Sequence, residues 1–233
     1  MTTLPLVLLP GLVCDASVWS AQEEALSRDF KIRAWPHFYG HSSLGSMAQA
    51  VLASAPRHFV LAGHSMGGRV ALEIMARAPE RVEKLALLDT GVVPADAGEP
   101  VRRQEFIDLA KREGMAALAA RWLPMIVHPE HMKDMAFVAR LTEMICRATP
   151  EVYEKQVNAL LTRPDFRPLL PRILRPTLIV CGREDTWSGV AQHEEIARAI
   201  LGADLKIIET CGHMATVEQP ERVTELLRKW MRA

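Results

Sequence analysis

The sequence predicts an α/β fold: a mostly parallel, doubly wound sheet with helices on both faces and a helical segment inserted between two of its strands. Three observations carry this. Apolar runs of strand length alternate with helix-length amphipathic patterns from Leu4 to Leu88, and again from Thr177 to Met231. One of those runs, Phe59 to Ala62, passes through a glycine-bracketed turn straight into a helical pattern. From Val93 to about Pro171 the alternation stops and only helical patterns remain. The 233 residues suit one α/β domain with a subdomain, the core expected over 1–93 and 172–233 and a helical cap over 94–171.

The elements follow in order. Leu4 to Leu9 reads as a buried strand ended by Pro10-Gly11, and Trp19 opens a helix that runs to about Arg28. Lys31 to Trp35 is a second strand; a loop rich in Gly, His and Ser then leads to a helix from about Met47 to Ala55. The strand from Phe59 and its helix close at Ala78-Pro79, and Lys84 to Leu88 is another strand. Helices are expected over Val101 to Trp122, Pro129 to Arg147 and Pro150 to Leu161, with prolines as punctuation. Thr177 to Cys181 resumes the sheet, followed by a helix over Val190 to Leu201, a strand at Leu205 to Ile208, and a last helix from about Glu218 to Met231. Right-handed crossovers place these helices on both faces.

Composition narrows the class. Hydrophobic residues make up 49% and charged residues 24%, with a formal net charge of zero, so neither a nucleic acid nor an anionic membrane is expected as a partner. The first residues lack a basic segment and a small-residue cleavage site, and read as a strand rather than a signal peptide. No stretch reaches the ~20 apolar residues of a membrane span. Cys14, Cys146, Cys181 and Cys211 show no C-x-x-C spacing, which favours reduced thiols and a cytoplasmic location, although Cys181 and Cys211 both fall at strand ends and leave a bridge open.

The chemistry centres on Gly63-His64-Ser65-Met66-Gly67, a G-x-S-x-G turn. Between a strand and a helix, this spacing holds a serine on a strained turn with its hydroxyl above the sheet. The helix begins directly after Ser65, so its free N–H groups face any negative charge formed beside the serine. A serine hydroxyl needs a base, and the base needs an orienting carboxylate. His213, in the loop after the last strand, and Asp185, after the strand Thr177 to Cys181, stand in the chain order Ser, Asp, His expected of such a site. Glu184 is the adjacent competitor for the acid, and Asp89 a second one. An oxyanion needs two backbone donors; Met66 and Leu12 are the candidates.

With these residues in place, the chain resembles an α/β-hydrolase of the small capped kind that includes carboxylesterases and enol-lactonases. The matching parts are Leu9-Pro10-Gly11-Leu12 with Trp19, Gly63 to Gly68, Gly182-Arg183-Glu184-Asp185, and Gly212-His213 with Glu218-Gln219-Pro220. Pro10 stands where the family usually has histidine, Trp35 to Ser42 replaces the usual D-x-x-G-x-G-x-S loop, and Ser188-Gly189 appears where proline is common.

The resulting expectation is a serine hydrolase that cleaves a carboxylic ester of a small, largely apolar substrate through an acyl-enzyme, as monomer or homodimer. An enol-lactonase or C–C bond hydrolase is the alternative within the fold, and a hydrolase-like ligand receptor the alternative outside it. Trp187, His37, Phe38, Tyr39 and Met214 are placed near the pocket mouth. Phe106, Trp122, Met125 and Phe137 are read as cap packing, Asp15 as a helix cap, and Arg102, Arg103, Lys111 and Arg112 as a solvated face. No metal-ligand cluster or phosphate-binding glycine loop is found, so neither metal nor cofactor is expected.

Overall fold

A computed structural model describes residues 4–233; residues 1–3, with which the expected core begins, lie outside the described residues. Six strands form one sheet: β1 (Leu6–Leu9), β2 (Ile32–Ala34), β3 (Phe59–His64), β4 (Val82–Leu88), β5 (Thr177–Gly182) and β6 (Asp204–Ile208). Their order is β2-β1-β3-β4-β5-β6 and every pairing is parallel. β1, β3 and β5 are buried along their whole length, as expected of a parallel sheet covered on both faces. Because the chain winds from β1 outward to β2 and then returns to β3 on the other side of β1, the loops leaving β1 and β3 part in opposite directions. A crevice opens outside the C-terminal ends of those strands, where sheets of this type bind their ligands.

The helices of the first half are α1 (Ser20–Leu26), α2 (Leu44–Ser54) and α3 (Met66–Arg77). Helix α2 begins three residues before the expected Met47 because Ser43 Oγ accepts the Ser46 N–H at 3.1 Å and caps it there. Between β4 and β5 the structure holds α4 (Glu99–Glu113), α5 (Met115–Ile126), α6 (Met135–Cys146) and α7 (Pro150–Leu161).

The helix expected over Val101 to Trp122 is therefore two, divided at Gly114, whose φ of 87° has no place in a helix. Pro124, expected to punctuate, sits inside α5. Asp134 delays α6, its carboxylate accepting the N–H groups of Ala136 and Phe137 at 2.9 and 3.1 Å. The chain ends with α8 (Val190–Ala199), a single turn α9 (Ala215–Glu218) and α10 (Pro220–Arg232). Pro220 splits the expected last helix, starting α10 where its missing N–H costs nothing. All four cysteines are free, so Cys181 and Cys211 are not bridged. Among the described residues no helix is long and apolar enough to cross a membrane.

Candidate active site

Ser65 occupies the turn between β3 and α3 with φ 54° and ψ −116°, a conformation that costs a non-glycine residue on the order of 1–3 kcal/mol. The surroundings leave it no alternative. Its N–H donates to the Leu88 carbonyl at 2.9 Å and its carbonyl accepts the Thr90 hydroxyl at 2.7 Å, tying the turn to the end of β4. A Cβ at Gly63 would overlap the Gly67 backbone, and one at Gly67 would overlap the Leu9 carbonyl. Strand, turn and helix approach this closely only because both positions are glycine.

His213 lies beyond β6, and its Nε2 is 2.8 Å from Ser65 Oγ while its Nδ1 is 2.8 Å from Asp185 Oδ2. A carboxylate only accepts, so Nδ1 carries the hydrogen and Nε2 is free to take the serine proton. The loop is fixed at several points. His213 donates its N–H to the Ile126 carbonyl at 2.7 Å and its own carbonyl accepts His64 Nε2–H at 2.8 Å. The Glu218 carboxylate collects the N–H groups of Gly212, Met214 and His128 at 3.1, 3.0 and 2.8 Å. Glu218 belongs to the motif quoted from the sequence, but its holding role had no visible signal there.

Asp185 turns its second oxygen to the N–H groups of Trp187 and Ser188, both at 2.8 Å. Burial opposes its ionisation, but the His213 charge and hydrogen bond together with these two donors outweigh it and hold the carboxyl at about 2. Glu184 instead accepts the Cys211 N–H at 2.9 Å. Asp89, buried at the end of β4, accepts N–H groups from Gly182 at 3.0 Å and Ala215 at 3.1 Å. Burial and the Asp185 charge push its carboxyl well above the usual carboxylate range. Of the acids weighed from the sequence, the structure brings Asp185 to the imidazole and makes Asp89 a tie between strand ends.

Gly11 packs the loop after β1 against the serine: a Cβ there would sit 3.3 Å from Ser65 Cβ. Trp19 Nε1 holds the Leu9 carbonyl at 3.1 Å. The next residue after Leu12, Val13, is left-handed with φ 49°, and its N–H is taken at 2.8 Å by Oε1 of Gln156, a fully buried side chain of α7. Among the described residues no acceptor takes the N–H of Leu12 or of Met66. Asp15 does cap the turn that follows, accepting the Ser17 N–H at 2.9 Å, and it also pairs with Arg147 of the helical segment.

A cavity of about 400 Å³ opens over Ser65 and Met66. The expected aromatic and methionine lining holds in part. Trp187 lines the cavity, and so do Phe106 and Met125, against the expectation that they only pack the cap; His37, Phe38, Tyr39 and Met214 do not. Phe38 and Met214 are buried instead. Arg103 is not part of a solvated face: it is buried and lines the cavity with Arg69 and Arg163, whereas Arg102, at the cavity rim, is exposed, as are Lys111 and Arg112, as expected. The wall is thus far from uniformly apolar. Three of its arginines, Arg102, Arg103 and Arg163, come from the segment between β4 and β5, and Arg69 comes from α3.

Asp89, Cys181 and Asp185 bring three ligand atoms within 4.8 Å of one another. Both carboxylates are committed to the hydrogen bonds above, and burial pushes the Cys181 thiol far up, away from the thiolate a metal needs.

A family model described as the alpha/beta hydrolase family matches residues 6–226. The chain belongs to this family. It is 27% identical to the pimeloyl-[acyl-carrier protein] methyl ester esterase of Nitrosomonas europaea, over 93% of this chain and 91% of that one. It is 29% identical to a 2-hydroxy-6-oxononadienedioate/2-hydroxy-6-oxononatrienedioate hydrolase of Klebsiella pneumoniae, over 73% of this chain and 61% of that one. The enol-lactonase of Burkholderia xenovorans superposes with a TM-score of 0.90 at 25% identity, covering 100% of this chain and 93% of that chain. These three relatives are thus named for a methyl ester, an enol-lactone and a 2-hydroxy-6-oxo dioate, and the family membership alone does not choose among such substrates.

Proposed function

We propose that this hydrolase cleaves a carboxylic ester or lactone through an acyl-enzyme on Ser65. Ser65 Oγ attacks the carbonyl carbon as His213 Nε2 takes its proton. Asp185 keeps the imidazole in the reactive tautomer and stabilises the imidazolium. The oxyanion is received by the N–H groups of Leu12 and Met66, of which each is worth roughly 3 kcal/mol of transition-state stabilisation. Collapse breaks the ester C–O bond, His213 returns the proton to the departing alkoxide, and a water deprotonated by the same imidazole then releases the acid.

The observation that carries the reading is the unbroken row Asp185–His213–Ser65, with 2.8 Å at each step. The two N–H groups left without acceptors beside the serine support it. The esterase and enol-lactonase among the relatives favour a carbonyl bearing an oxygen leaving group.

A fluorophosphonate probe with peptide mass spectrometry tests it. The expected result is one adduct, on Ser65, that vanishes in Ser65→Ala. Label on another residue, or label retained in the variant, removes the mechanism.

A further inference from the structure

The charged residues around the cavity do not balance. Four arginines line it, Arg69, Arg102, Arg103 and Arg163, against two carboxylates, Asp96 and Glu99. Arg102 is paired with Asp96 at 2.6 Å. Arg103 and Arg163 share Glu99, at 2.8 and 2.6 Å, and Arg163 also donates to the carbonyls of Val93, Pro94 and Leu160. Arg69 is left over. Its Nη1 donates to the Val93 carbonyl at 3.1 Å; among the described residues its guanidinium makes no other hydrogen bond and no carboxylate forms an ion pair with it.

A part-buried cation without a counter-ion is unfavourable. Burial, and after it the charge of Arg163, weaken the hold of Arg69 on its proton, and the Glu99 charge offsets them only in part; an anion at its side would offset them further. Its position fits that purpose. Arg69 lies in the first turn of α3, its N–H donating to the Ser65 carbonyl at 3.3 Å, and the two residues open on the same cavity. The cavity they share measures about 400 Å³, so an anion on the guanidinium and a carbonyl at Ser65 can belong to one small molecule, joined by a short spacer.

We propose that Arg69 is an anion-recognition residue that takes a free carboxylate of the substrate, so that the preferred substrates are monoesters or lactones of short dicarboxylic acids. The planar guanidinium fork matches a carboxylate with two parallel hydrogen bonds. The assignment rests on the serine mechanism proposed above, since it measures the spacer from Ser65.

The test compares the monomethyl with the dimethyl esters of succinic, glutaric, adipic and pimelic acid at constant ionic strength. For at least one spacer, wild-type kcat/KM should favour the anionic monoester by roughly 10- to 100-fold, the size of a charge-assisted pair. Arg69→Gln should erase that ratio whatever the absolute rates, and Arg69→Lys should keep part of it. A wild type that prefers the neutral diester at every length, or a preference that survives in Arg69→Gln, overturns the proposal. Should the Gln variant fail to fold once the Arg69 hydrogen bond to Val93 is lost, inhibition of the wild type by each free dicarboxylate is compared with that by its diamide. Equal inhibition at all four lengths overturns the proposal, and stronger inhibition by a dicarboxylate, weakened in Arg69→Lys, supports it.

The two proposals fail separately. Label on Ser65 without any anion preference rejects the carboxylate subsite and leaves the serine chemistry standing. No label on Ser65 rejects the serine chemistry, and the dicarboxylate-against-diamide comparison, read as protection against thermal unfolding, then decides the subsite.

Discussion

The floor and the roof of the cavity are built by different means. The floor is the C-terminal edge of the sheet, where Ser65, Asp185 and His213 hang from strand ends and each is fixed by backbone: a glycine-cleared turn, two N–H groups on one carboxylate, a loop pinned to Ile126 and Glu218. The roof is the segment between β4 and β5, where Glu99, Arg103 and Arg163 are held by one another's charges. Backbone anchoring permits little variation in distance, which suits groups that must pass a proton. Ion pairs between long side chains can be exchanged without moving the fold, which suits selection among substrates. The chemistry should therefore fail with the floor, and the preference should change with the roof.

The largest effect expected within the floor separates its two buried aspartates. Asp185→Asn leaves an amide facing His213 Nδ1, which favours the wrong tautomer and should lower kcat by roughly four orders of magnitude, for monoesters and diesters alike. Asp89→Asn keeps the triad row but turns an amide N–H toward one of two backbone donors, Gly182 or Ala215. It should cost about 1–3 kcal/mol of stability and far less activity. Steady-state kinetics and urea melts on both variants check this. Equal losses of kcat would move the acid to Asp89 or give both a share.

Legibility follows the same division. G-x-S-x-G between strand and helix, and an Asp and a His each following a strand, are local patterns that fix where residues stand on a parallel sheet, so the fold and the row of three side chains could be read from them. Chain order puts an acid between Ser65 and His213 but does not separate Asp185 from its neighbour Glu184; that choice needed the hydrogen bonds at His213 and Cys211, and the separation from Asp89 those at Gly182 and Ala215. The roof was misread because helical periodicity reports a buried face without saying what is buried against it. Arg103 and Phe106, three residues apart on α4, look like surface and packing from spacing alone, and both face the cavity. Arg69 carried no signal beyond its place after Gly68, since its significance lies in a missing partner.

Several contacts cross the division, among them the Ile126 carbonyl that holds the His213 N–H; the one beside Leu12 offers a way to sharpen it. Gln156 belongs to roof helix α7 but holds the N–H of left-handed Val13, directly after Leu12. If it positions the oxyanion loop, Gln156→Met should lower kcat roughly tenfold, a fraction of what a lost oxyanion donor costs, with little change in KM. Gln156→Glu, which keeps an acceptor, should recover part of the loss. A rise in KM at unchanged kcat would place Gln156 with the substrate-selecting roof instead.

The effect furthest from the chemistry concerns stability alone and tests how rigidly the floor is held. His64 is fully buried and donates Nε2–H to the His213 carbonyl, while its Nδ1 has no partner. Burial, and next the nearby His213 charge, push it down to about 4. The unfolded chain binds a proton at His64 near its ordinary value of 6.5, whereas the folded chain refuses it until about 4. Stability should therefore fall as pH drops from about 6.5 to about 4 and level off below, by roughly 3 kcal/mol at full development. His193, also buried and also pushed down by burial, adds in the same direction. Urea melts at pH 7.5 and pH 4.5 should show a smaller decline for His64→Gln than for the wild type, with the His193 share remaining. Identical declines would mean that His64 takes up its proton in the folded state, and that the anchoring of the His213 loop yields readily enough to let it.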